Sequence, residues 1–549
     1  MYKQAKIKSS KDLFIDELNN YIDFYKKVIS EERENSFFEK EIIDEYKVNS
    51  CDYNIAINLL NTLVSIKLGL VVNPDLIKDF IYPHQARGCN KEKVNFFSSK
   101  IKNDKTQALA VSMACGMNNI LLIQGPPGAG KTTTILEIIA QLKRKNKNYK
   151  ILITSGTHVA VDNVVERILR SKTKNDEYSH LKLYDDVIRV RQKSGEDSNQ
   201  LLNNYNEEFL FYSLLSSQSD NTKNIIRNYD VEVDEDSINY SNLVLSKFRS
   251  DIILKKGIIG VTINALNSCR FGDNEFDYVI VDEVGKSNFA EILFAAKFAK
   301  KLILIGDPKQ LPCDVQYEFN DESNTSSFYR KLNEIPFINY LFENINKECY
   351  LFLNKQYRMV KEIGSYISDT FYNSPVKLEN GRQESFGNGL NYIDYDNKRC
   401  KVACPPLVNN LEVEIIKELL KSQLLESNKK NISIITPYKA QMRSLRKAFE
   451  SIIPKNNINT VDAFQGQEND IVIFTCVRNV GNPTVFFEKI NRINVAISRA
   501  RNQIWVIGSS TYLNNVPCLN AYINYVSKKD SSLKCNKYKY LNNNIVKVV

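Results

Sequence analysis

Residues 125–134 read GPPGAGKTTT, a run whose residue types suit the holding of phosphate. Gly125, Gly128 and Gly130 free the backbone so that N–H groups can close round phosphate oxygens, with Pro126, Pro127 and Ala129 completing the loop. Lys131 is placed to reach the β- and γ-phosphates. The Thr132 hydroxyl suits Mg²⁺, and Thr133 follows it into the phosphate-facing turn. The flanks decide the matter. The apolar run Ile120-Leu121-Leu122-Ile123 precedes the loop and a helical run from Ile135 to Leu142 follows it. Strand, glycine loop and helix N-terminus in that order make a P-loop rather than a chance glycine-rich turn, and the helix end adds partial positive charge. The expected ligand is a nucleoside triphosphate.

A second constellation lies downstream. Asp282 and Glu283 follow the apolar strand Tyr278-Val279-Ile280-Val281. At a strand end near a P-loop, the first carboxylate can position Mg²⁺ and the second can orient and deprotonate the attacking water. GDPKQLPC (306–313) again follows a strand, and its turn leaves Gln310 free to sense the γ-phosphate with a neutral amide. Further on come QYRM (356–359), TVDAFQGQE (460–468) and NVAISRAR (494–501), in a stretch without a P-loop of its own. Phosphoryl transfer gains roughly 10³ to 10⁵ in rate from an arginine that meets the transition-state charge. Arg358 and Arg499 are the candidates, a surface salt bridge being the alternative for each.

The elements that must carry these residues read as two α/β series. Strands are expected at 120–123, 150–154, 187–190, 258–262, 278–281 and 302–305, then at 432–435, 471–474 and 504–507. They are Ile/Leu/Val runs without alternation, as in parallel sheets buried on both faces. The fold class is therefore α/β, with two tandem doubly wound parallel sheets over 101–345 and 346–512. Residues 1–100 read as a helical accessory region, with Phe14, Leu18, Tyr21, Ile22, Tyr25, Val28 and Ile29 on one face. Residues 193–250 read as a helical insertion, Asp314 to Ser327 as a polar loop, and 513–549 as a basic, solvated tail.

Composition narrows the class. The chain has 549 residues, 43% hydrophobic and 25% charged, with a formal charge of +10. That balance fits a polyanionic partner without requiring one. The 11 cysteines are scattered, only Cys400 and Cys404 lying close, and the three histidines are far apart. Free thiols in a reducing compartment account for them better than a metal cluster. No apolar stretch approaches the roughly 20 residues of a membrane span, and MYKQAKIKSS lacks the core of a signal peptide. The expectation is an intracellular, cytoplasmic protein (the nucleus remaining open) with no membrane partner.

The order of motifs resembles superfamily 1 helicases, on the 5′→3′ branch that includes the nonsense-mediated-decay helicase. The likeness runs from about residue 100 to 510. Asn103 to Val111 resembles the adenine-reading Q motif, with Gln107 as its glutamine. ILITSGTHVAVDNVVERI (151–168), IIGVT (258–262), FDYVIVDEVGKS (276–287) and ITPYKAQ (435–441) match further family segments. The resemblance implies two RecA-like cores with ATP bound in the cleft between them. It places Tyr357 against the base, Glu468 near the ribose, and Arg358 and Arg499 at the phosphates. It implies single-stranded DNA or RNA tracked past Thr157, Val159, Thr262, Pro312, Thr436 and Thr460, through backbone contacts that choose neither polymer.

The expected assembly is a monomer, with protein partners approaching through the N-terminal region. Departures from the family pattern are Ala129 for threonine, Lys286 for glutamine, Val360-Lys361 for His-Pro, and Asn491-Arg492 where two arginines are common. The reading is an ATP-dependent helicase or translocase. An ATP-gated clamp that binds without separating strands is the alternative, slightly favoured by the reduced accessory region before the P-loop and by Lys286. A ring-forming ATPase unrelated to nucleic acid is the more distant rival, because this chain offers its own arginines.

Overall fold

The computed structural model describes residues 19, 22, 23, 26, 60–67, 71–190, 253–266, 271, 275–313, 337–373, 376–382, 384, 389–397, 400–422, 431–464, 466–527, 535–541 and 543–548. Of the expected N-terminal apolar face only Ile22 falls among them. The 193–250 insertion and the polar loop after Asp314 lie outside.

The first series builds a seven-stranded sheet. Its strands are β1 (Ile120–Gln124), β2 (Ile151–Ser155), β3 (Val187–Arg189), β4 (Ile258–Thr262), β5 (Phe276–Val281), β6 (Ala299–Gly306) and β7 (Tyr350–Phe352), in the order β3-β4-β2-β5-β6-β1-β7. β1 to β6 pair in parallel throughout. Every residue of β1, β2 and β4 is buried, so neither face needs a polar alternation. Helices Lys131–Lys145 and His158–Arg170 connect successive parallel strands, as such pairing demands.

The second series opens with the two-residue strands β8 (Lys355–Gln356) and β9 (Glu379–Asn380), which pair with each other. Its sheet comprises β10 (Leu390–Asp394), β11 (Ile432–Thr436), β12 (Ile458–Thr460), β13 (Asn469–Thr475), β14 (Ala500–Ile507), β15 (Cys535–Leu541) and β16 (Asn544–Lys547), ordered β12-β11-β13-β14-β10-β15-β16. Its strands feed two cores. Val472, Phe474, Ile504 and Val506 enter one, while Ile471, Ile473, Trp505 and Ile507 enter the other. Both faces are apolar, which explains the unbroken hydrophobic runs.

The C-terminal stretch departs from the expected solvated tail. Helix Pro517–Ser527 packs Tyr522 and Val526 into the first of those cores, β15 pairs in parallel with β10, and β16 turns back antiparallel on β15. The physical reason is a period of two. Tyr538 and Tyr540 are buried while Lys539 between them faces solvent, and the Tyr538 ring lies 5.3 Å from that of Trp505. Lys528, Lys529 and Lys534 lie outside the described residues.

The chain divides into two compact units: 1–124, 131–308 and 312–351 in the first, and 125–130, 309–311 and 352–549 in the second. In the first unit, helix Pro74–Ile81 is capped by the Asn73 side chain, which accepts from the N–H groups of Asp75 and Leu76. This helix buries Asp79 beside Asn119, whose Nδ2 donates to the carboxylate at 3.1 Å. Burial pushes the Asp79 carboxyl from 3.8 up to about 6, against the pull of the Asn119 bond. A carboxyl raised on folding stabilises most when protonated, so its contribution is full below about pH 4 and is lost as the pH rises to about 6. Asp79→Asn should therefore remove that slope and melt above wild type at pH 8. Thermal melts from pH 4 to 8 test it, and parallel curves for the two proteins would refute it.

Candidate nucleotide site

In the first unit the site is built on two strand ends. β1 runs into the glycine loop, and helix Lys131–Lys145 begins at the lysine itself, so Lys131 and Thr132 occupy its first turn. β5 ends beside β2, where the Asp282 N–H donates to the Thr154 carbonyl at 2.9 Å. The next residue turns sharply. Glu283 adopts φ +50°, a left-handed conformation costly for a side chain, and its N–H donates to Asp282 Oδ1 at 2.8 Å. The outcome is an ion pair between Lys131 Nζ and Glu283 Oε1 at 3.6 Å, both side chains largely shielded.

Asp282 is buried, and desolvation, followed by the charge of Glu283, pushes its carboxyl up to about 7 although Lys131 pulls the other way. The acidic pair is thus short of positive charge. Two carboxylates and a helix-opening threonine form a hard oxygen donor set, which fits Mg²⁺ rather than a soft metal. Gln107 is buried in the first turn of helix Lys105–Gly116, whose cap Asp104 accepts from its N–H at 3.0 Å.

The second unit holds the loop tip 125–130, the segment 309–311 and the arginine motifs. Gly128 and Gly130 have φ of +75° and +78°. The Gly128 carbonyl accepts from the Tyr357 N–H at 2.9 Å, and a Cβ on Gly128 would meet Arg358 Cβ at 2.6 Å. Conformation and close approach both require glycine there. Gln356 shapes the QYRM turn: its Oε1 accepts from the N–H groups of Arg358 (3.0 Å) and Met359 (2.8 Å), and its Nε2 donates to the Met359 carbonyl at 2.9 Å. Tyr357 is left 45% exposed, with its ring so close to Gly381 that a Cβ there would meet Cε1 at 2.4 Å.

Two arginines meet distinct partners. Arg358 forms an ion pair with Glu468, which also accepts from Arg501 Nε at 3.0 Å. Burial raises the Glu468 carboxyl, but Arg358, Arg501 and Arg499 outweigh it and hold the group below the usual range. The carboxylate expected near a ribose is thus shared by two guanidinium groups. Arg499 is only 2% exposed. Its Nε donates to the Val495 carbonyl (3.0 Å), its Nη1 to the Gln467 carbonyl (3.3 Å) and its Nη2 to Gln310 Oε1 (3.2 Å). Arg499 and Gln310, far apart in sequence, are brought together.

The residues expected along a nucleic-acid track lie at strand ends and the turns after them. Thr157 stands at the N-cap position of helix His158–Arg170 without a side-chain capping bond, and Val159 is exposed in the first turn. Thr262 ends β4 opposite Ser155, and Thr436 pairs in register with Thr460 at the ends of β11 and β12. Thr262 and Thr436 are buried, and the Thr436 hydroxyl has no hydrogen-bond partner among the described residues. Pro312 and Thr460 are half-buried. Lys286 lies in the turn Val284–Lys286, directly after Glu283.

Sequence reading passed over Gln356, Arg501 and Asn494 as individuals, although each lies inside a motif it singled out. Among the described residues no three His, Cys, Asp or Glu side chains cluster as a metal site, and no helix is long and apolar enough to cross a membrane.

Comparison with known proteins places these features in a family. One AAA-domain family matches residues 337–511 and another matches 102–238 and 213–316. An uncharacterized ATP-dependent helicase of Methanocaldococcus jannaschii is 26% identical over 509 residues, covering 80% of this chain and 72% of that protein. The DNA polymerase alpha-associated DNA helicase A of Schizosaccharomyces pombe is 27% identical over 456 residues, 76% of this chain and 64% of its own length. The probable helicase senataxin of Homo sapiens is 27% identical over 570 residues, which cover 84% of this chain and 21% of that one. AAA domains matched in both series and relatives named as helicases together support a superfamily 1 helicase.

Proposed function

We propose that this enzyme hydrolyses ATP to move 5′→3′ along single-stranded DNA or RNA. The observation that carries the reading is the meeting of Arg499 with Gln310 within the second unit: a buried guanidinium bonds the neutral amide at the end of the GDPKQ segment. Lys131 would bind the β- and γ-phosphates, and Thr132 with Asp282 would hold Mg²⁺, which supplies Lewis-acid neutralisation of phosphate charge. Glu283 would accept the proton of the attacking water. Arg499, released from Gln310 by an arriving γ-phosphate, would meet the transition-state charge, with Arg358 beside it. Tyr357 would stack on the base, and Gln107 would read its edge. Thr157, Val159, Pro312 and Thr460 are accessible for phosphate contacts, whereas Thr262 and Thr436 would act only on local opening.

Lys286 favours a second reading, a clamp that hydrolyses ATP without separating strands. A tailed-duplex unwinding assay distinguishes the two.

The first test is ATP turnover with and without single-stranded DNA or RNA over a salt series. One polymer should stimulate turnover severalfold. Its apparent affinity should fall with log salt at a slope of about −0.7 per phosphate neutralised. Hydrolysis indifferent to both polymers at every salt concentration would overturn the proposal.

A further inference from the structure

The segment carrying Gln310 is pinned by a helix that carries none of the assigned catalytic residues. Helix Ile490–Ile497 presents Asn491 and Asn494 one turn apart, and so on one face. Asn491 Nδ2 donates to the Gln310 carbonyl at 2.7 Å. Asn494 Nδ2 donates to the neighbouring Lys309 carbonyl at 2.8 Å and to the Tyr372 hydroxyl at 2.7 Å. Lys309 is held from its other end, its Nζ donating to the Phe371 carbonyl at 2.9 Å and lying 5.5 Å over the Tyr372 ring. Two consecutive carbonyls are therefore fixed, and from that fixed backbone the Gln310 side chain reaches Arg499 at 3.2 Å.

Asn491 presents an amide at this place rather than a cation. An arginine would bring a mobile cation beside the phosphate-sensing glutamine. An amide brings a short, neutral donor that can satisfy a carbonyl without competing for phosphate. Asn494 is fully buried and doubly engaged, as a packing residue would be. Asn491 is half-buried, and its amide donates to the Gln310 backbone.

We propose that Asn491 is a positioning residue: its amide fixes the Gln310 backbone so that the Gln310 side chain stands beside Arg499 where both can meet an arriving γ-phosphate, and it thereby sets turnover rather than ATP affinity. The inference rests on the roles proposed above for Gln310 and Arg499. Displacing a positioned group by about 1 Å can cost up to ~10²-fold in rate, so loss of the tether acts chiefly on kcat.

The experiment uses the full chain with saturating single-stranded nucleic acid. Asn491→Asp is isosteric but sets a carboxylate oxygen against the Gln310 carbonyl. It should lower kcat about ten- to a hundredfold. KM for ATP, binding of a non-hydrolysable ATP analogue and Tm should stay close to wild type. Asn491→Gln keeps an amide donor and should recover most of the lost turnover. In a Gln310→Ala background, which lowers kcat by itself, Asn491→Asp should add no further loss, because coupled residues are not additive.

Additive losses, or wild-type kcat in Asn491→Asp with Gln310→Ala impaired, would overturn the tether and leave the proposed function standing. Wild-type turnover in Gln310→Ala would instead remove the role of Gln310, and the tether with it. Should the aspartate variant fail to fold, Asn491→Ser is used, its hydroxyl being too short to reach the carbonyl.

Discussion

Lys131→Ala is expected to abolish measurable ATP turnover, a loss of at least about 10²- to 10³-fold, or roughly 3–4 kcal/mol of transition-state stabilisation. Two effects add. The variant removes the ammonium that opens helix Lys131–Lys145 in line with the P-loop glycines. It also removes the cation 3.6 Å from Glu283 that opposes the upward push on Asp282. With that charge gone, Asp282 loses a pull toward its ionised form and Glu283 loses the ion pair at 3.6 Å. Two groups assigned to metal holding and water activation are thus impaired alongside phosphate binding. The check is steady-state hydrolysis with single-stranded polymer, paired with equilibrium binding of a non-hydrolysable ATP analogue. Turnover within tenfold of wild type would refute the assignment of the P-loop as the catalytic phosphate site.

How far such roles were legible in the sequence depended on whether the signal was local. The P-loop was readable because strand, glycines, lysine and helix are contiguous, and φ of +75° and +78° at Gly128 and Gly130 shows the backbone demand behind those glycines. The nine strand runs were readable because both faces of each sheet are apolar, which leaves continuous Ile/Leu/Val runs. β15 was not, because Lys537 and Lys539 dominate its composition while the buried Tyr538 and Tyr540 carry the period of two.

Partnerships were the least legible. Glu468 was expected near a ribose, yet Arg358 and Arg501 claim its carboxylate, and a pairing across that much chain leaves no local trace. Asn491 stood out only as a departure from an arginine; that its amide meets the Gln310 carbonyl needed the fold. The buried Thr262 and Thr436 show the converse, where a motif match places a residue at a strand end without exposing its hydroxyl.

Arg499→Ala is expected to lower turnover about 10³-fold while leaving ATP binding measurable, because an arginine that meets developing phosphate charge contributes roughly 10³ to 10⁵ in rate. Its surroundings would make the effect selective for the transition state. At 2% exposure, with Nε and Nη1 committed to the Val495 and Gln467 carbonyls, the guanidinium is oriented before any nucleotide arrives. Nη2, bonded to Gln310 Oε1 and Ser498 Oγ, is the group that would turn to a phosphate oxygen, so little reorganisation would accompany the chemical step. Arg499→Lys keeps the charge but loses the fork that satisfies two carbonyls at once, and it should remain at least about tenfold impaired. Either substitution leaves buried carbonyls short of a donor, at about 1–3 kcal/mol of stability, so Tm must be measured alongside kcat. A folded Arg499→Ala protein with unchanged affinity for the ATP analogue and strongly reduced kcat places the arginine at the transition state. Wild-type hydrolysis by that protein would refute the arginine mechanism and leave Arg499 a structural brace for Gln310.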